Sequence, residues 1–335
     1  MKILFVLLGP TAVGKTEVCL KIAQRLHAPI INADSRQIFE GIPIGTAAPT
    51  AEQLSTVRHY FVGKCKLTDY YSASRFEEEV MALVSPEGEL GALPYGIMSG
   101  GSMMYIDAVC NGIDDIPTID EETRRLMKSR LEEEGLERLV EELRILDPEY
   151  YAIVDRKNIR RVVHALEICY MTGKTYTSFR TNEKKHRDFR IVKIGLNRDR
   201  NELYDRINQR VLQMVSQGLE DEVRRVYPYK GVNALNTVGY REMFDFIEGK
   251  CSREEAIEKI QSNTRRYCRK QLTWFKRDPD IHWFNPDDLD GIMQLIDKET
   301  ASARSNVVRT TTAILKPTGT CKPNSRANHS GQNPI

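Results

Sequence analysis

The sequence predicts an α/β fold in which a parallel-sheet core is interrupted by one helical insertion. A fully apolar run at residues 3–8 passes directly into a glycine-rich loop and then into a helical pattern. Later apolar runs end in glycine or polar residues, as parallel strands do where their carboxyl ends line a crevice. Between the third and fourth runs the chain is rich in Glu, Arg and Leu and has little strand character. This alternation indicates a doubly wound sheet.

Four segments carry the strand pattern of this core. The first is followed by a predicted helix over 15–26, in which Val18, Ile22 and Leu26 recur every fourth residue. The second ends in Asp34, which would then face the glycine-rich loop. The four predicted strands are 3–8, 29–34, 95–101 and 190–198.

The remaining segments are predicted to be helical or disordered. Helical patterns cover 200–226 and 253–276, and both are expected to pack on the core. After residue 298 the chain is dominated by Ser, Thr, Asn, Pro and Gly, which predicts a disordered tail. The predicted organisation is core, first part, 1–115; helical insertion, 116–188; core, second part, with basic C-terminal helices, 189–298; and tail, 299–335.

Composition indicates a soluble cytoplasmic protein. Hydrophobic residues make up 41% of the chain, and no apolar run approaches the roughly 20 residues that a membrane span needs. The seven cysteines are scattered and form no C-x-x-C pair, so neither a zinc site nor a disulfide framework is indicated. The net charge of +2 is too small to indicate a nucleic-acid partner by itself, so such a partner must be argued from local clusters.

The glycine-rich loop matches G-x-x-x-x-G-K-T and predicts a site for a diphosphate. Its glycines allow successive N–H groups to surround phosphate oxygens, and Lys15 adds a positive charge. Thr16 supplies a hydroxyl for Mg²⁺ and opens a helix whose N-terminal dipole favours anions. The alternative is a structural turn without a ligand. The predicted phosphate loop of this P-loop NTPase-like core consists of Gly9, Pro10, Thr11, Ala12, Val13, Gly14, Lys15 and Thr16.

The phosphate loop does not specify the reaction. A nucleoside triphosphatase or a small-molecule kinase would bind ATP with the same loop. No N-K-x-D tetrapeptide for guanine occurs, and the third strand ends in Ser99-Gly100-Gly101-Ser102 where a triphosphatase would carry an acidic residue. These two observations weaken the triphosphatase hypothesis.

Several further motifs resemble the tRNA dimethylallyltransferases of bacterial type, which are also called tRNA isopentenyltransferases. The resemblance runs in order from about residue 3 to 285, and its combination of motifs is far more specific than a phosphate loop alone. The matching segments are GPTAVGKT at 9–16, NADSRQIFEGIPIGTAAPT at 32–50, SGGSMMY at 99–105, DPEYYAIVDRKNIRRVVHALEICYMTGK at 147–174, LYDRINQRVLQMVSQGLEDEV at 203–223, VGYRE at 238–242 and RKQLTWFKR at 269–277.

The resemblance implies an enzyme that alkylates RNA. Members of this family transfer a dimethylallyl group from dimethylallyl diphosphate to N6 of the adenosine 3′ of the anticodon, in tRNAs that read codons beginning with U. The phosphate loop would hold the diphosphate of the prenyl donor together with Mg²⁺. The expected partners are therefore the tRNA anticodon stem-loop and the prenyl donor, bound to a monomer in the cytoplasm.

The resemblance also implies roles for individual residues. Asp34 matches the general base, and the hydroxyl of Ser102 stands where the family usually has Thr and would also contact substrate. Arg210 matches an arginine that binds the diphosphate. Alternatively, Asp34 could be a turn cap, and the arginines 206 and 210 could be a surface pair bridging acidic neighbours.

A larger set of residues is expected to contact tRNA. His164 replaces an arginine of the family pattern, and a neutral imidazole donates one N–H where a guanidinium offers five, so that contact is in doubt. Met103 replaces a glycine. Trp274 is more consistent with a core position. The expected tRNA contacts are Asp34, Ser35, Arg36, Gln37, Ser102, Arg124, Arg160, Arg161, His164, Asn236, Gly239, Tyr240, Arg241, Arg269, Lys270, Gln271, Trp274 and Lys276.

The predicted helix over 253–276 supports an RNA partner independently. Its second half and the residue after it carry six cations without an intervening acid, while apolar residues keep a helical stripe for packing. Such a cluster favours an RNA-phosphate contact over a merely solvated face. The cations are Arg265, Arg266, Arg269, Lys270, Lys276 and Arg277.

Three hypotheses of different classes therefore compete. The first is an RNA prenyltransferase, the second a small-molecule kinase with a phosphate loop, and the third an RNA-binding protein that uses its phosphate loop as a switch. A kinase has no use for the basic helix, and a switch protein has no use for Asp34 beside the phosphate loop.

Overall fold

The computed structural model describes residues 1–181 and 183–314, with side chains described as far as residue 302. Within these residues the chain forms one parallel sheet of six strands. The strands are β1 (Ile3–Leu8), β2 (Ile30–Ala33), β3 (His59–Tyr60), β4 (Tyr95–Gly100), β5 (Arg190–Leu196) and β6 (Ile281–Phe284). Their order across the sheet is β3-β2-β4-β1-β5-β6.

Helices connect the strands and form the insertion. The α-helices are α1 (Lys15–Leu26), α2 (Pro43–Thr46), α3 (Ala51–Thr56), α4 (Ala73–Val84), α5 (Met103–Asn111), α6 (Glu121–Leu146), α7 (Pro148–Ile153), α8 (Ile159–Thr172), α9 (Arg200–Ser216), α10 (Leu219–Val226), α11 (Tyr240–Ile247), α12 (Arg253–Phe275) and α13 (Leu289–Ile314). Short 3₁₀ turns lie at Thr177–Phe179, Tyr227–Tyr229 and Asn233–Leu235.

The register of the sheet brings the ends of four strands together. Leu8, the last residue of β1, pairs with Gly100 of β4 on one side and with Gly195 of β5 on the other. Ala33, the last residue of β2, pairs with the same Gly100. Because all strands are parallel, the loops after β1, β2, β4 and β5 meet at one edge of the sheet. The α/β fold with a parallel sheet is confirmed.

The helices that follow β5 differ partly from the sequence expectation. The predicted helix over 200–226 is divided into α9 and α10 at Gly218, which has a φ of 97°. An L-residue with a side chain disfavours this angle, so the glycine ends one helix and begins the next. The predicted helix over 253–276 is present as α12.

The predicted disordered tail is partly corrected. Helix α13 extends to Ile314, so it includes the first part of the segment 299–335. Residues 301–314 contain neither Gly nor Pro, and Pro317 is the next helix-breaking residue, so composition rich in Ser and Thr alone did not end the helix. The rest of the predicted tail, 315–335, lies outside the described residues.

Residues 116–188 are helical and contain their own small core. Helices α6, α7 and α8 bury a cluster that is separate from the core around the sheet. Asp147, which is 1% exposed, accepts hydrogen bonds from the N–H of Tyr150 and from the N–H and hydroxyl of Thr177. The clustered residues are Met127, Leu139, Leu143, Tyr150, Val154, Val162, Ala165 and Leu166.

A buried ion pair joins the insertion to the sheet-bearing core. Arg187 lies where the chain returns from the insertion and contacts Glu77 of α4 at 2.6 Å, with side chains 9% and 6% exposed. The same guanidinium donates to the carbonyl oxygens of Ala108 and Val109, and Glu77 accepts the N–H of Ile113, where the chain leaves the core. Both connections of the insertion are thus fixed to α4 and α5. Within the described residues, no helix is long and apolar enough to cross a membrane.

Candidate active site

The phosphate loop leaves β1 in a conformation that requires glycine at its first position. Gly9 has a φ of 151°, and a Cβ there would lie 2.6 Å from the carbonyl oxygen of Leu196. The backbone therefore passes β5 closer than any side chain permits. Ala12 also has a positive φ, 62°, which an L-residue adopts only when its surroundings stabilise it.

Three cationic side chains bind the carbonyl oxygens of this loop. The Nζ of Lys15 donates to Gly9 at 2.9 Å and to Pro10 at 2.7 Å. Arg206 of α9 donates to the carbonyl of Ala12 at 2.9 Å, and Arg198, after β5, donates to that of Val13 at 3.0 Å. Positive charge thus surrounds the loop, as binding of a polyanion requires.

The protonation of Lys15 is poised near neutral pH. Burial, and to a smaller extent the positive charge of Arg210, together lower the pKa of its ammonium to about 8, while the charge of Asp34 opposes this shift. An anionic ligand in the cleft would favour the charged ammonium in the same way as Asp34 does.

Arg210 lies in the cleft and not in a surface ion pair. Its guanidinium donates weakly to the hydroxyl of Thr11 at 3.4 Å. Burial lowers the pKa of Arg210, and the nearby charge of Asp34 raises it. Arg206 and Arg210 both point to the phosphate loop, so the alternative of a pair bridging Glu202 and Asp205 is wrong.

Asp34 begins a turn directly after β2. Its Oδ1 accepts the N–H of Arg36 at 2.9 Å and, more weakly, that of Gln37 at 3.3 Å. Within the described residues, Oδ2 accepts no hydrogen bond, and Asp34 lines the cleft. The capping role that the sequence left open is therefore real, and it leaves one carboxylate oxygen available for chemistry.

The rest of the 34–37 turn is fixed by backbone contacts. Arg36 donates to the carbonyl oxygens of Asn233 at 2.6 Å and Ala234 at 3.2 Å. The amide of Gln37 donates to the carbonyls of Thr46 and Ala47, each at 3.0 Å. Ser102, at the start of α5, accepts the N–H of Ser35 at 2.8 Å and contacts the Ser35 hydroxyl at 3.1 Å. These bonds fix the side chain of Asp34 relative to the loop after β4.

Two adjoining cavities open at this edge of the sheet. One has a volume of about 550 Å³ and is lined mainly by polar groups, including the phosphate loop from Thr11 to Thr16. The other, of about 320 Å³, has a wall of apolar side chains from α9, α10 and α12. The residues that line both cavities are Thr11, Ala12, Asp34, Thr46, Arg210 and Tyr267. Asp34 and Arg210 therefore stand at their junction.

The expected contact segment at 236–241 divides into a cavity wall and a buried residue. Asn236, Gly239 and Arg241 line the second cavity. Tyr240 is 0% exposed, and its hydroxyl donates to Glu222 at 2.6 Å. The expectation that the side chain of Tyr240 contacts tRNA is therefore corrected in this structure, because a fully buried ring cannot reach RNA.

The residues of α12 that were expected to contact RNA likewise fall into an exposed group and a buried group. Arg269, Lys270 and Lys276 are exposed. Gln271 is 2% exposed and uses both ends of its amide inside the protein. The indole N–H of Trp274 donates to Asp107 at 2.7 Å, and the ring packs against the core. Burial and internal bonding indicate positioning roles for Gln271 and Trp274, which corrects the expectation of direct side-chain contact.

The insertion presents its expected RNA contacts separately from the cleft. Arg160 and Arg161 are exposed on α8. The imidazole of His164 is half-buried, lies 3.4 Å from Glu167 and stacks edge-on with Tyr176. Arg124 of α6 is exposed and lies over the ring of Tyr70, which is also exposed, 5.1 Å from its centroid. None of these residues lines either cavity.

Sequence reasoning missed, among others, one residue that binds the phosphate loop and one that lines the cleft. Arg198 is held by a bidentate ion pair with Asp287, with both distances at 2.7 Å. Its signal was available, because β5 was predicted to end in charged residues beside β1. Tyr267 was assigned to the packing stripe of α12, whereas its ring lines both cavities, and burial raises the pKa of its phenol to about 12. A helical pattern does not show which apolar residue faces a cavity.

Comparisons with known proteins agree with this geometry. The profile described as IPP transferase matches residues 37–278. The chain is 60% identical over 297 residues to tRNA dimethylallyltransferase 1 of Phocaeicola vulgatus, covering 88% of this chain and 97% of that protein. It is 58% identical over 292 residues to tRNA dimethylallyltransferase 2 of Parabacteroides distasonis, covering 87% and 97% respectively.

A solved structure shows the same fold. The full-length tRNA isopentenylpyrophosphate transferase from Bacillus halodurans superimposes with a TM-score of 0.66 at 32% identity, covering 91% of this chain and 99% of that one. The sequence matches and this superposition extend across the sheet, the cleft and the insertion. The chain belongs to the tRNA dimethylallyltransferase (IPP transferase) family.

Proposed function

We propose that this enzyme transfers the dimethylallyl group of dimethylallyl diphosphate to N6 of the adenosine 3′ of the anticodon, in tRNAs that read codons beginning with U. The observation that carries the proposal is the position of Asp34 at the junction of a polar, cation-lined cavity and an apolar one. The first suits a diphosphate. The place where the two cavities meet suits the allylic carbon of the donor and the N6 of the adenosine, between which the new bond forms.

The donor site is assigned to the phosphate loop, Lys15 and Arg210. During transfer the allylic C–O bond breaks and the diphosphate leaves with its electron pair. Negative charge therefore grows on the bridging oxygen, and preorganised cations and N–H groups stabilise it most strongly where water is excluded. Arg210 adds a second cation where the two cavities meet.

Mg²⁺ fits this donor site. Thr16 lines the polar cavity together with Asp34, and no group of three or more His, Cys, Asp or Glu side chains in the described residues could hold a metal alone. A magnesium ion held by one hydroxyl, the diphosphate oxygens and water matches the usual coordination of this ion by protein. When bound, it would neutralise charge on the leaving diphosphate.

The acceptor site is assigned to the 34–37 turn and the apolar cavity. The target adenine must leave its stack to reach a cleft of this depth. Its N6 is a weak nucleophile because the lone pair is delocalised into the ring, and it becomes positively charged as the C–N bond forms. The available Oδ2 of Asp34 accepts the N6 proton in that step. Ser102 holds the turn through Ser35.

The RNA itself is assigned to two surfaces of the chain. The insertion, 116–188, presents Arg160 and Arg161, and α12 presents Arg269, Lys270 and Lys276. The insertion has its own core, so we assign it as a separate domain within the order 1–115, 116–188 and 189–298. We further propose that the enzyme acts as a monomer in the cytoplasm, since residues of one chain line the whole cleft.

The direct test is incubation of an anticodon stem-loop RNA with enzyme, Mg²⁺ and dimethylallyl diphosphate, followed by mass spectrometry. We expect one added C5H8 unit on the adenosine 3′ of the anticodon and none on an RNA with guanosine there. Hydrolysis of ATP, without any transfer from dimethylallyl diphosphate, would establish the kinase or triphosphatase hypothesis instead.

A further inference from the structure

We propose that Gln271 is a positioning residue that sets the separation between the donor and the acceptor adenosine, an inference that rests on the proposed function. Gln271 lies on α12, is 2% exposed and is bonded at both ends of its amide. Its Oε1 accepts the N–H of Thr11 at 2.9 Å, and its Nε2 donates to the carbonyl oxygen of Gly101 at 2.8 Å.

These two bonds reach opposite sides of the reaction. Thr11 belongs to the phosphate loop, and its hydroxyl contacts Arg210, so this bond fixes the donor side. Gly101 precedes Ser102, whose hydroxyl accepts the N–H of Ser35 in the 34–37 turn. One primary amide therefore links the loop after β1 to the loop after β4, and through it to the turn that carries Asp34.

The amide is chemically suited to this position, and few side chains could replace it. One partner is a donor and the other an acceptor, so the bridging group needs one acceptor and one donor at fixed separation. Both partners are backbone groups, the one at Gly101 buried and the one at Thr11 partly buried, and an unmade hydrogen bond is costly there. A methionine of similar length satisfies neither partner. An ionised glutamate satisfies Thr11 and faces the Gly101 oxygen with a second lone pair.

The glycine at position 101 shows how close this contact is. A Cβ on Gly101 would lie 2.5 Å from the Nε2 of Gln271, which is too close for any real contact. The backbone of Gly101 does not have a positive φ, so its conformation alone does not require glycine. The close approach of the Gln271 amide is the contact that excludes a side chain there.

Loss of the bridge should therefore affect alignment more than binding. Lys15, Thr16 and Arg210 still hold the diphosphate, and the exposed cations of α12 still meet RNA. The reacting carbon and N6, however, need a near-attack geometry, and a displacement of about 1 Å can reduce the rate by about 100-fold. The predicted signature is a slow chemical step with nearly normal affinities.

The test compares four variants with wild type by single-turnover kinetics at saturating enzyme and donor, together with equilibrium binding of donor and stem-loop RNA. The variants are Gln271→Met, Gly101→Ala, the double variant, and Gln261→Met as the control. Gln261 lies on the same helix and donates one hydrogen bond to the carbonyl of Asn208, at 3.3 Å, away from the cleft. Saturating enzyme makes the rate constant independent of the folded fraction.

We expect Gln271→Met and Gly101→Ala each to slow the single turnover by about 10-fold to 100-fold, with both dissociation constants within about threefold of wild type. The double variant should be no more than about threefold slower than the slower single variant, because both changes break one contact. Gln261→Met should transfer at the wild-type rate.

Three outcomes would overturn the proposal. The first is a single-turnover rate constant of Gln271→Met within threefold of wild type. The second is a defect that appears as weaker binding of donor or RNA and not as a slower turnover. The third is a double variant whose rate loss is the product of the two single losses. Wild-type transfer in the same assay checks the proposed function separately. An inactive wild type refutes that function, whereas an active wild type with unimpaired variants refutes the role of Gln271 alone.

Discussion

Asp34 shows how one side chain combines a structural and a chemical role. Its Oδ1 caps the 34–37 turn through Arg36, while its Oδ2 accepts no hydrogen bond within the described residues. Sequence could predict Asp34 as an active-site residue, because it follows a parallel strand beside the phosphate loop. Sequence could not predict that Oδ1 and Oδ2 divide the two roles, since this depends on the path of the chain after residue 34.

The Asp34→Asn variant separates these roles. Its carbonyl oxygen still accepts the N–H of Arg36, so the turn and both affinities should be preserved, but the amide cannot take the N6 proton. We expect kcat to fall by roughly 10² to 10⁴. Single-turnover rates of wild type and variant, measured beside equilibrium binding of donor and stem-loop RNA, separate the lost rate from the retained affinities. Near-normal turnover combined with lost RNA affinity would assign Asp34 to positioning instead.

The lowered pKa of Lys15 predicts a pH-dependent affinity for the donor. Only the protonated ammonium attracts the diphosphate, and in the free enzyme its pKa is about 8 because of burial and Arg210. Affinity should therefore be retained below that pH and decline above it, by up to about tenfold per pH unit for one coupled proton. Calorimetric titration with dimethylallyl diphosphate from neutral to alkaline pH measures this decline.

Lys15→Arg is the matched variant for that measurement. A guanidinium stays charged throughout the accessible range, so its affinity, even if weaker, should not change across the same alkaline interval. A decline of equal size in Lys15→Arg would assign the effect to another group in the cleft.

At the scale of whole elements, the residue pattern of α12 was the most informative of the helical patterns, but it did not identify every buried residue. The pattern correctly placed one face on the core and a basic face outside. It also placed Trp274 on the packing side, and the ring does pack against the core. It could not show that Gln271 turns inward to bind Thr11, because helix periodicity does not identify which polar residue finds a buried partner.

The basic face of α12 should contribute to RNA affinity through its charge. Arg265 and Arg269 bond to the uncharged groups of Asn208 and Tyr204, and within the described residues neither forms an ion pair with an acid. Replacing Arg265, Arg269 or Lys276 by Ala should weaken RNA binding and reduce the log–log salt slope by about one each. Donor affinity should not change.

Lys259→Ala is the control on the same helix, since this exposed lysine lies in its acidic first half. Binding of a stem-loop RNA across a salt series measures all four slopes. Unchanged slopes for the three tested cations would show that the basic face is only solvated surface.

The strands illustrate a different limit of sequence reasoning. The four strands β1, β2, β4 and β5 were predictable because each is an apolar run that ends in glycine or polar residues. β3 has two residues, which is too short for a periodic signal, and β6 is as short as β2 but is interrupted by His282. Both lie at the edges of the sheet. The segment after β6 nevertheless reaches the site, because its Asp287 pairs with Arg198, which binds the phosphate loop.

At the scale of the whole molecule, the ion pair between Glu77 and Arg187 should couple stability to RNA binding. Removing the carboxylate leaves a buried guanidinium that keeps only carbonyl partners. We expect Glu77→Ala to lower the free energy of unfolding by about 3 to 5 kcal/mol, measured by urea denaturation. Because the pair fixes both connections of the insertion, RNA affinity should decrease while donor affinity is retained.

Glu78→Ala provides the comparison on the same helix. Glu78 is exposed and contacts only Ser74 among the described residues, so its loss should change stability by no more than about 0.5 kcal/mol. Equal effects of the two substitutions, or a loss of donor affinity in Glu77→Ala, would contradict the proposed coupling.

The position of β1 between β4 and β5 has a consequence during synthesis on the ribosome. Its partners begin only at Tyr95 and Arg190, so the most apolar strand of the sheet emerges long before either neighbour exists. At about 5 to 20 residues per second, β5 follows β1 by roughly 10 to 40 s. Until β4 emerges, after roughly 5 to 20 s, the segment ILFVLL has no partner on either side, and until β5 emerges it has none on one side. An unpaired apolar strand of this kind is prone to aggregate. The strand order that brings the phosphate loop beside Asp34 therefore makes translation the stage at which this enzyme is most exposed to aggregation.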